Sequence, residues 1–131
     1  MQKATKTLLD NFIYVAIFIT TLIAYLSLMK ISKEGESIFF SFKNADKIFH
    51  ATAYFTLALS WFLTVKSSNT RVKSKLLIIL GCIFYGIIIE VLQMTLTSFR
   101  TADYLDVIAN SVGVLLALLI FNIISKKNEI I

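Results

Sequence analysis

The stretch Leu76–Leu96, LLIILGCIFYGIIIEVLQMTL, decides how this chain is read. Its only charged residue is Glu90. An α-helix rises about 1.5 Å per residue, so the run would span about 30 Å, the thickness of a bilayer's hydrocarbon core. It lacks the alternation over about ten residues that a lipid-facing β-strand would show. A carboxylate at such depth is expensive to hold and marks a functional site by default. Gln93 follows Glu90 by three positions, and Arg100, Asp103, Asp106 and Asn110 recur beyond it at three- and four-residue spacings.

Three further apolar runs lie outward from this one: residues 12–29, 48–65 and 104–124. The whole chain of 131 residues is 57% hydrophobic and 16% charged, with a mean hydropathy of +0.79. A soluble domain of this length cannot bury so many Ile, Leu and Phe side chains, but lipid can solvate them. The expected fold is therefore all-α: a polytopic membrane four-helix bundle forming one domain over residues 1–131. There is no proline and there are only four glycines, so straight helices are expected, without the broken segments of many transporters. The single cysteine, Cys82, excludes an intramolecular disulfide and reads as a small packing residue. No internal repeat or low-complexity segment is visible.

The +5 net charge does not point to nucleic acid, because the basic residues stand at the ends of apolar runs. They read as topology determinants and neighbours of lipid phosphate. The first run follows Lys3 and Lys6, as a signal peptide would, but it is long and no small-residue cleavage pattern closes it. An uncleaved span is expected. With four spans, Lys3, Lys6, Lys66, Arg71, Lys73, Lys75, Lys126 and Lys127 share one side. Lys30, Lys33, Lys43, Lys47 and Arg100 share the other. The larger group faces the cytoplasm, which places both termini inside a multi-pass protein of the cell membrane. Residues 66–75 then form a basic cytoplasmic hairpin. The outer loop 30–47 carries an apolar stretch, Ile38–Phe42, too short to span, which would lie in the interface or cover the bundle.

This topology brings the start of the second helix, the end of the third and the start of the fourth together at the outer leaflet. The polar residues stand there. Asp46, His50 and Tyr54 share one face of the second helix, with Lys47 beside them. Glu90 and Gln93 share a face of the third. Asp103, Asp106 and Asn110 share a face of the fourth, which Gly113 continues as a point of close helix approach. Glu90 and Asn110 both lie about 9 Å inside the outer boundary and are expected to face each other. Each residue also has a plainer reading. Asp46, Asp103 and Asp106 suit helix starts, where a carboxylate caps free N–H groups. Gln93 and Asn110 suit interhelical hydrogen bonds. Tyr54 and Trp61 suit aromatic packing, and His50 suits a satisfied interior histidine. Together these groups exceed what caps and interhelical bonds require, so a polar pocket is expected.

The segment Asp46-Lys47-Ile48-Phe49-His50, followed by Tyr54, resembles the D-K-x-x-H-x-x-x-Y signature of VanZ-like membrane proteins. Glu90-Val91-Leu92-Gln93, then Arg100, Asp103, Asp106, Asn110 and Gly113, resembles that family's E-x-x-Q…R-x-x-D-x-x-D-x-x-x-N-x-x-G segment. The resemblance covers roughly residues 46–124. Ser98-Phe99 stand where the family often has Pro-Gly before its arginine. The resemblance implies a small helical membrane protein of a family named for a member linked to teicoplanin resistance. Its relatives have been suggested to act on lipid head groups or lipid-linked cell-wall intermediates.

Four readings follow. In the first, an enzyme acts on a phosphate-linked lipid head group at the outer leaflet. Lys47 and Arg100 hold phosphate, helped by the amino ends of the second and fourth helices. His50 transfers a proton or acts as nucleophile, and Glu90 serves as general base. Asp103 and Asp106 complete the catalytic set by orienting His50 or binding a divalent cation. Asp46, Tyr54, Gln93 and Asn110 contact and orient substrate. In the second reading the same pocket binds a lipid head group, or the lipid tail of an antibiotic, without catalysis. A transporter is the third, disfavoured by the absence of polar residues through the inner half. The fourth is a bundle locked by a polar network with no ligand. No HExxH, paired CxxC or Walker-type loop specifies a metal or nucleotide.

Overall fold

In a computed structural model, residues 2–29, 45–66, 72–96 and 103–129 are described, and they form four helices. These are α1 (Gln2–Leu28), α2 (Ala45–Lys66), α3 (Val72–Leu96) and α4 (Tyr104–Glu129). All four are long and apolar enough to cross a membrane, over Asn11–Leu28, Ala45–Val65, Lys73–Leu96 and Tyr104–Lys126. No strand occurs among the described residues. The helices outrun the apolar runs because their polar flanks continue the same backbone hydrogen bonding. Asp46 falls in the first turn of α2. Asp103 starts α4, its carboxylate accepting the Leu105 N–H at 2.9 Å and its carbonyl the Asp106 N–H at 3.0 Å. That satisfies two of the donors every helix start leaves open. Ile38–Phe42, the hairpin residues 67–71 and Arg100 with Ser98-Phe99 lie outside the described residues.

Side-chain contacts fix the helix directions. Lys47 and His50 near the start of α2 meet Asp103, Asp106 and Asn110 near the start of α4. Farther on, Phe62 of α2 stacks on Phe121 of α4 with ring centroids 5.3 Å apart, so α2 and α4 run parallel. On α3, Glu90 meets Asp103 of α4, whereas Lys75 meets Asn122 at 2.9 Å, so α3 runs opposite. Gln93 of α3 donates to the Ser27 carbonyl of α1 at 2.8 Å, and Tyr85 donates to the Thr20 carbonyl at 2.5 Å. Helices α1 and α3 are therefore parallel, and the bundle is up-down-up-down.

The core lies mainly between α2 and α4. It is built from Tyr54, Leu57, Ala58, Phe62, Val114, Ala117 and Phe121, joined by Cys82 from α3. The α2–α4 seam is close because Gly113 has no side chain. A Cβ there would stand 2.1 Å from the Ala51 carbonyl oxygen. This is the close approach the sequence placed at Gly113. The outer faces carry exposed Phe18, Leu77, Phe84 and Leu119. In water these would be a liability; in lipid they are the solvated surface. Hydroxyls on those faces are satisfied within their own helices: Thr52 donates to Ile48 O at 2.8 Å, Thr56 to Thr52 O at 2.9 Å, and Thr95 to Val91 O at 2.9 Å.

Candidate functional site

One end of the bundle holds the polar groups. Lys47 reaches from the first turn of α2 to the start of α4. Its ammonium donates to Asp46 at 2.9 Å, to Asp103 at 2.7 Å, and also to Asp106 Oδ1. The Lys47 side chain is 21% exposed, against 49% for Asp46 and 14% for Asp106, so the ion pairs grade from the rim inward. Lys47 thus bridges three carboxylates, rather than standing free to hold a phosphate. The space between Asp103 and Asp106, where the sequence suggested a divalent cation, is filled by this ammonium. Asp103 lies just before the α4 span. Its carboxyl is held below the usual carboxylate range, first by the Lys47 hydrogen bond and then by the Leu105 N–H.

His50 lies one turn inside Lys47 on α2. Its Nδ1 stands 3.1 Å from Asn110 Oδ1, and its Nε2 stands 3.5 Å from Asp106 Oδ2. An amide oxygen only accepts, so His50 Nδ1 carries the proton of that bond. Asp106 therefore joins Lys47 on one oxygen and His50 on the other. Asn110 is fully buried, and its amide nitrogen points at Gly86 of α3, where a Cβ would stand only 2.9 Å away.

Glu90 enters from α3. It is 5% exposed, and its Oε2 faces the Asp103 backbone N–H at 3.5 Å. Its Oε1 is buried with no hydrogen-bond partner among the described residues. His50, Glu90 and Asp106 each present one donor atom, and these three atoms lie within 4.8 Å of one another. Three helices thus bring three titratable groups to one point.

The remaining candidates divide. Tyr54 is 2% exposed and packs one turn deeper, with its ring centroid 6.2 Å from that of Tyr85. Its hydroxyl is buried without a hydrogen-bond partner among the described residues. Gln93 is buried and ties α3 to α1 through Ser27, the interhelical bond that was its plainer reading. Trp61 donates to Thr20 at 3.2 Å, and Asn122 accepts from Lys75, both far from the polar end. Arg100 lies outside the described residues. Two participants carry no mark in the sequence reading: Gly86, which leaves room for Asn110 and Tyr54, and the Ser27 carbonyl. Gly86 could have been found, because it stands one turn before Glu90 on the same face. Two surface depressions among the described residues are apolar and lie elsewhere. One follows α3 along Leu77, Leu80 and Phe84; the other, about 290 Å³, lies between Thr20, Trp61, Cys82 and Tyr85. Both sit in the lipid-facing body, away from His50, Glu90 and Asp106.

Comparison with known proteins gives a single family. A family model described as VanZ/LLP1 matches residues 4–125, nearly the whole chain. No curated protein and no solved structure matches.

Proposed function

The chain belongs to the VanZ/LLP1 family, and from that premise we propose that its polar pocket receives a phosphate-linked lipid head group and performs proton-transfer chemistry on it. The pocket opens at the outer leaflet, with both termini cytoplasmic, in keeping with the eight basic residues on one side and five on the other. The observation that carries this reading is the convergence of His50, Glu90 and Asp106 within 4.8 Å at one end of an otherwise apolar bundle. A purely structural lock needs its buried polar atoms paired, and Glu90 Oε1 has no pair among the described residues.

Roles follow from position. Glu90, the most buried carboxylate of the cluster, is the general base. His50 is held by Asn110 and moves a proton through Nε2. Asp106 orients the imidazole. Lys47 keeps the carboxylates of α2 and α4 from repelling one another. Arg100, three positions before Asp103, meets the phosphate with its planar fork, aided by the amino ends of α2 and α4. The substrate is a membrane phospholipid or a lipid-linked cell-wall intermediate, and the reaction is hydrolysis or transfer at the phosphate linkage.

The test is lipid conversion. Full-length protein in lipid nanodiscs, and cells with and without it, are compared by mass spectrometry of extracted lipids. Glu90→Gln and His50→Ala should reduce product at least about 100-fold while the protein still accumulates in the membrane. Unchanged product in both variants refutes the reading. A wild-type protein that binds head group but yields no product leaves a non-catalytic binding protein in its place.

A further inference from the structure

We infer that His50, Glu90 and Asp106 form a binding site for one divalent metal ion of the zinc and manganese class. The inference rests on the reading of this cluster as a ligand pocket and revises the roles inside it: with the ion bound, His50 Nε2 and the Glu90 carboxylate serve as its ligands instead of moving protons themselves.

Geometry comes first. The three donor atoms come from three different helices and already lie within 4.8 Å of one another. Donors bound to zinc at about 2.1 Å stand about 3.4 Å apart, so closing the site asks for about 1 Å of side-chain movement.

The imidazole gives an independent argument. His50 Nδ1 donates its proton to Asn110. With Nδ1 engaged by Asn110, Nε2 is the ring atom that faces Asp106 Oδ2, 3.5 Å away, and is the one placed to meet an ion. Metal-binding histidines commonly donate their other ring N–H to a carbonyl or carboxylate, which fixes the tautomer. Asn110 supplies that partner here.

Glu90 gives a third. Its side chain is 5% exposed, and its Oε1 is buried with no hydrogen-bond partner among the described residues. A buried carboxylate oxygen left so is where a cation binds. Formal charge agrees: four carboxylates, Asp46, Glu90, Asp103 and Asp106, gather around one ammonium. Lys47 already occupies the space between Asp46, Asp103 and Asp106, so a metal ion takes the inner position beyond it.

The donor set selects the ion. One imidazole nitrogen and two carboxylate oxygens suit Zn²⁺ or Mn²⁺ better than Mg²⁺ or Ca²⁺, which prefer oxygen alone. Three protein donors leave at least one coordination position open. A phosphoryl oxygen fits that position, and the ion adds positive charge where, among the described residues, carboxylates outnumber the one ammonium.

The test uses the full chain in detergent micelles, stripped with chelator and dialysed against Zn²⁺, Mn²⁺ or Mg²⁺ alone. Elemental mass spectrometry should find about one equivalent of Zn²⁺ or Mn²⁺, with Mg²⁺ bound at least about tenfold more weakly. Glu90→Gln should weaken binding at least about tenfold, and Asn110→Ala by roughly 10-fold to 100-fold. X-ray absorption of the loaded wild-type protein should show one imidazole and carboxylate oxygens, a readout independent of whether any variant folds. Well under one equivalent bound, an imidazole-free shell, or unaltered affinity in a folded Glu90→Gln variant overturns the site. Lipid conversion by fully stripped protein would overturn the metal while leaving the proposed function. A loaded protein that converts no lipid would do the reverse.

Discussion

Asp106 meets two groups of α2, the Lys47 ammonium on one oxygen and the His50 imidazole on the other. Only 14% of its side chain is exposed, so removing its charge breaks the most buried of the three Lys47 ion pairs and the His50 contact together. Asp46 meets the same ammonium but is half exposed. The two aspartates look alike in the sequence and should behave differently. Asp106→Asn is expected to destabilise the folded protein by about 3 kcal/mol. Asp46→Asn should cost about 1 kcal/mol or less. Thermal unfolding of both variants in micelles checks this; equal losses would show that depth does not grade these ion pairs. The sequence made the members of this cluster visible, because polar residues are scarce in an apolar chain. It did not reveal who pairs with whom. Lys47 reads as a phosphate ligand until its distances to Asp46 and Asp103 are known. A three- or four-residue spacing gives a helix face, but not the rotation of a neighbouring helix toward it.

The helices themselves were legible almost to the turn. The run 76–96 lies inside α3, Val72–Leu96, and the run 104–124 inside α4, Tyr104–Glu129. The apolar run 48–65 begins inside α2, whose first turn the Asp46–His50–Tyr54 face already includes, since Asp46 and Lys47 break the apolar pattern without breaking the helix. Least legible was α1. Among its polar anchors are backbone carbonyls, Ser27 O and Thr20 O, which no residue name announces. Two glycines give a paired prediction at this scale. Gly113→Ala forces a Cβ against the Ala51 carbonyl of α2, and backbone cannot yield as a side chain can. It should destabilise by about 1–3 kcal/mol. Gly81→Ala meets nothing within 4 Å and should stabilise by up to about 1 kcal/mol, through helix propensity. Matched thermal unfolding curves decide the matter; a harmless Gly113→Ala would mean that α2 and α4 do not meet so closely.

For the molecule as a whole, the asymmetry between its two ends matters more than any single contact. Charged pairs crowd the start of α2 and α4, while the other end carries the partly exposed Lys75–Asn122 bond. If the basic flanks set orientation, reporter enzymes fused after residue 131 or within residues 67–70 will read as cytoplasmic, and a fusion within residues 31–43 as external. Replacing Lys66, Arg71, Lys73 and Lys75 together by neutral residues should then lower the fraction of correctly oriented molecules. An external reading at the carboxyl terminus would place the polar cluster at the cytoplasmic leaflet.

The Gly113 seam has a further bearing on how the protein is made. Its two halves are not neighbours along the chain, because α3 is threaded between them. Lys47 leaves the ribosome more than fifty residues ahead of the aspartates of α4 that will neutralise it. A nascent chain that has delivered three helices to the bilayer therefore holds Lys47 against Asp46 alone until the fourth arrives. Closure of the α2–α4 seam needs the last helix, and truncation within α4 would leave the chain without its tightest joint.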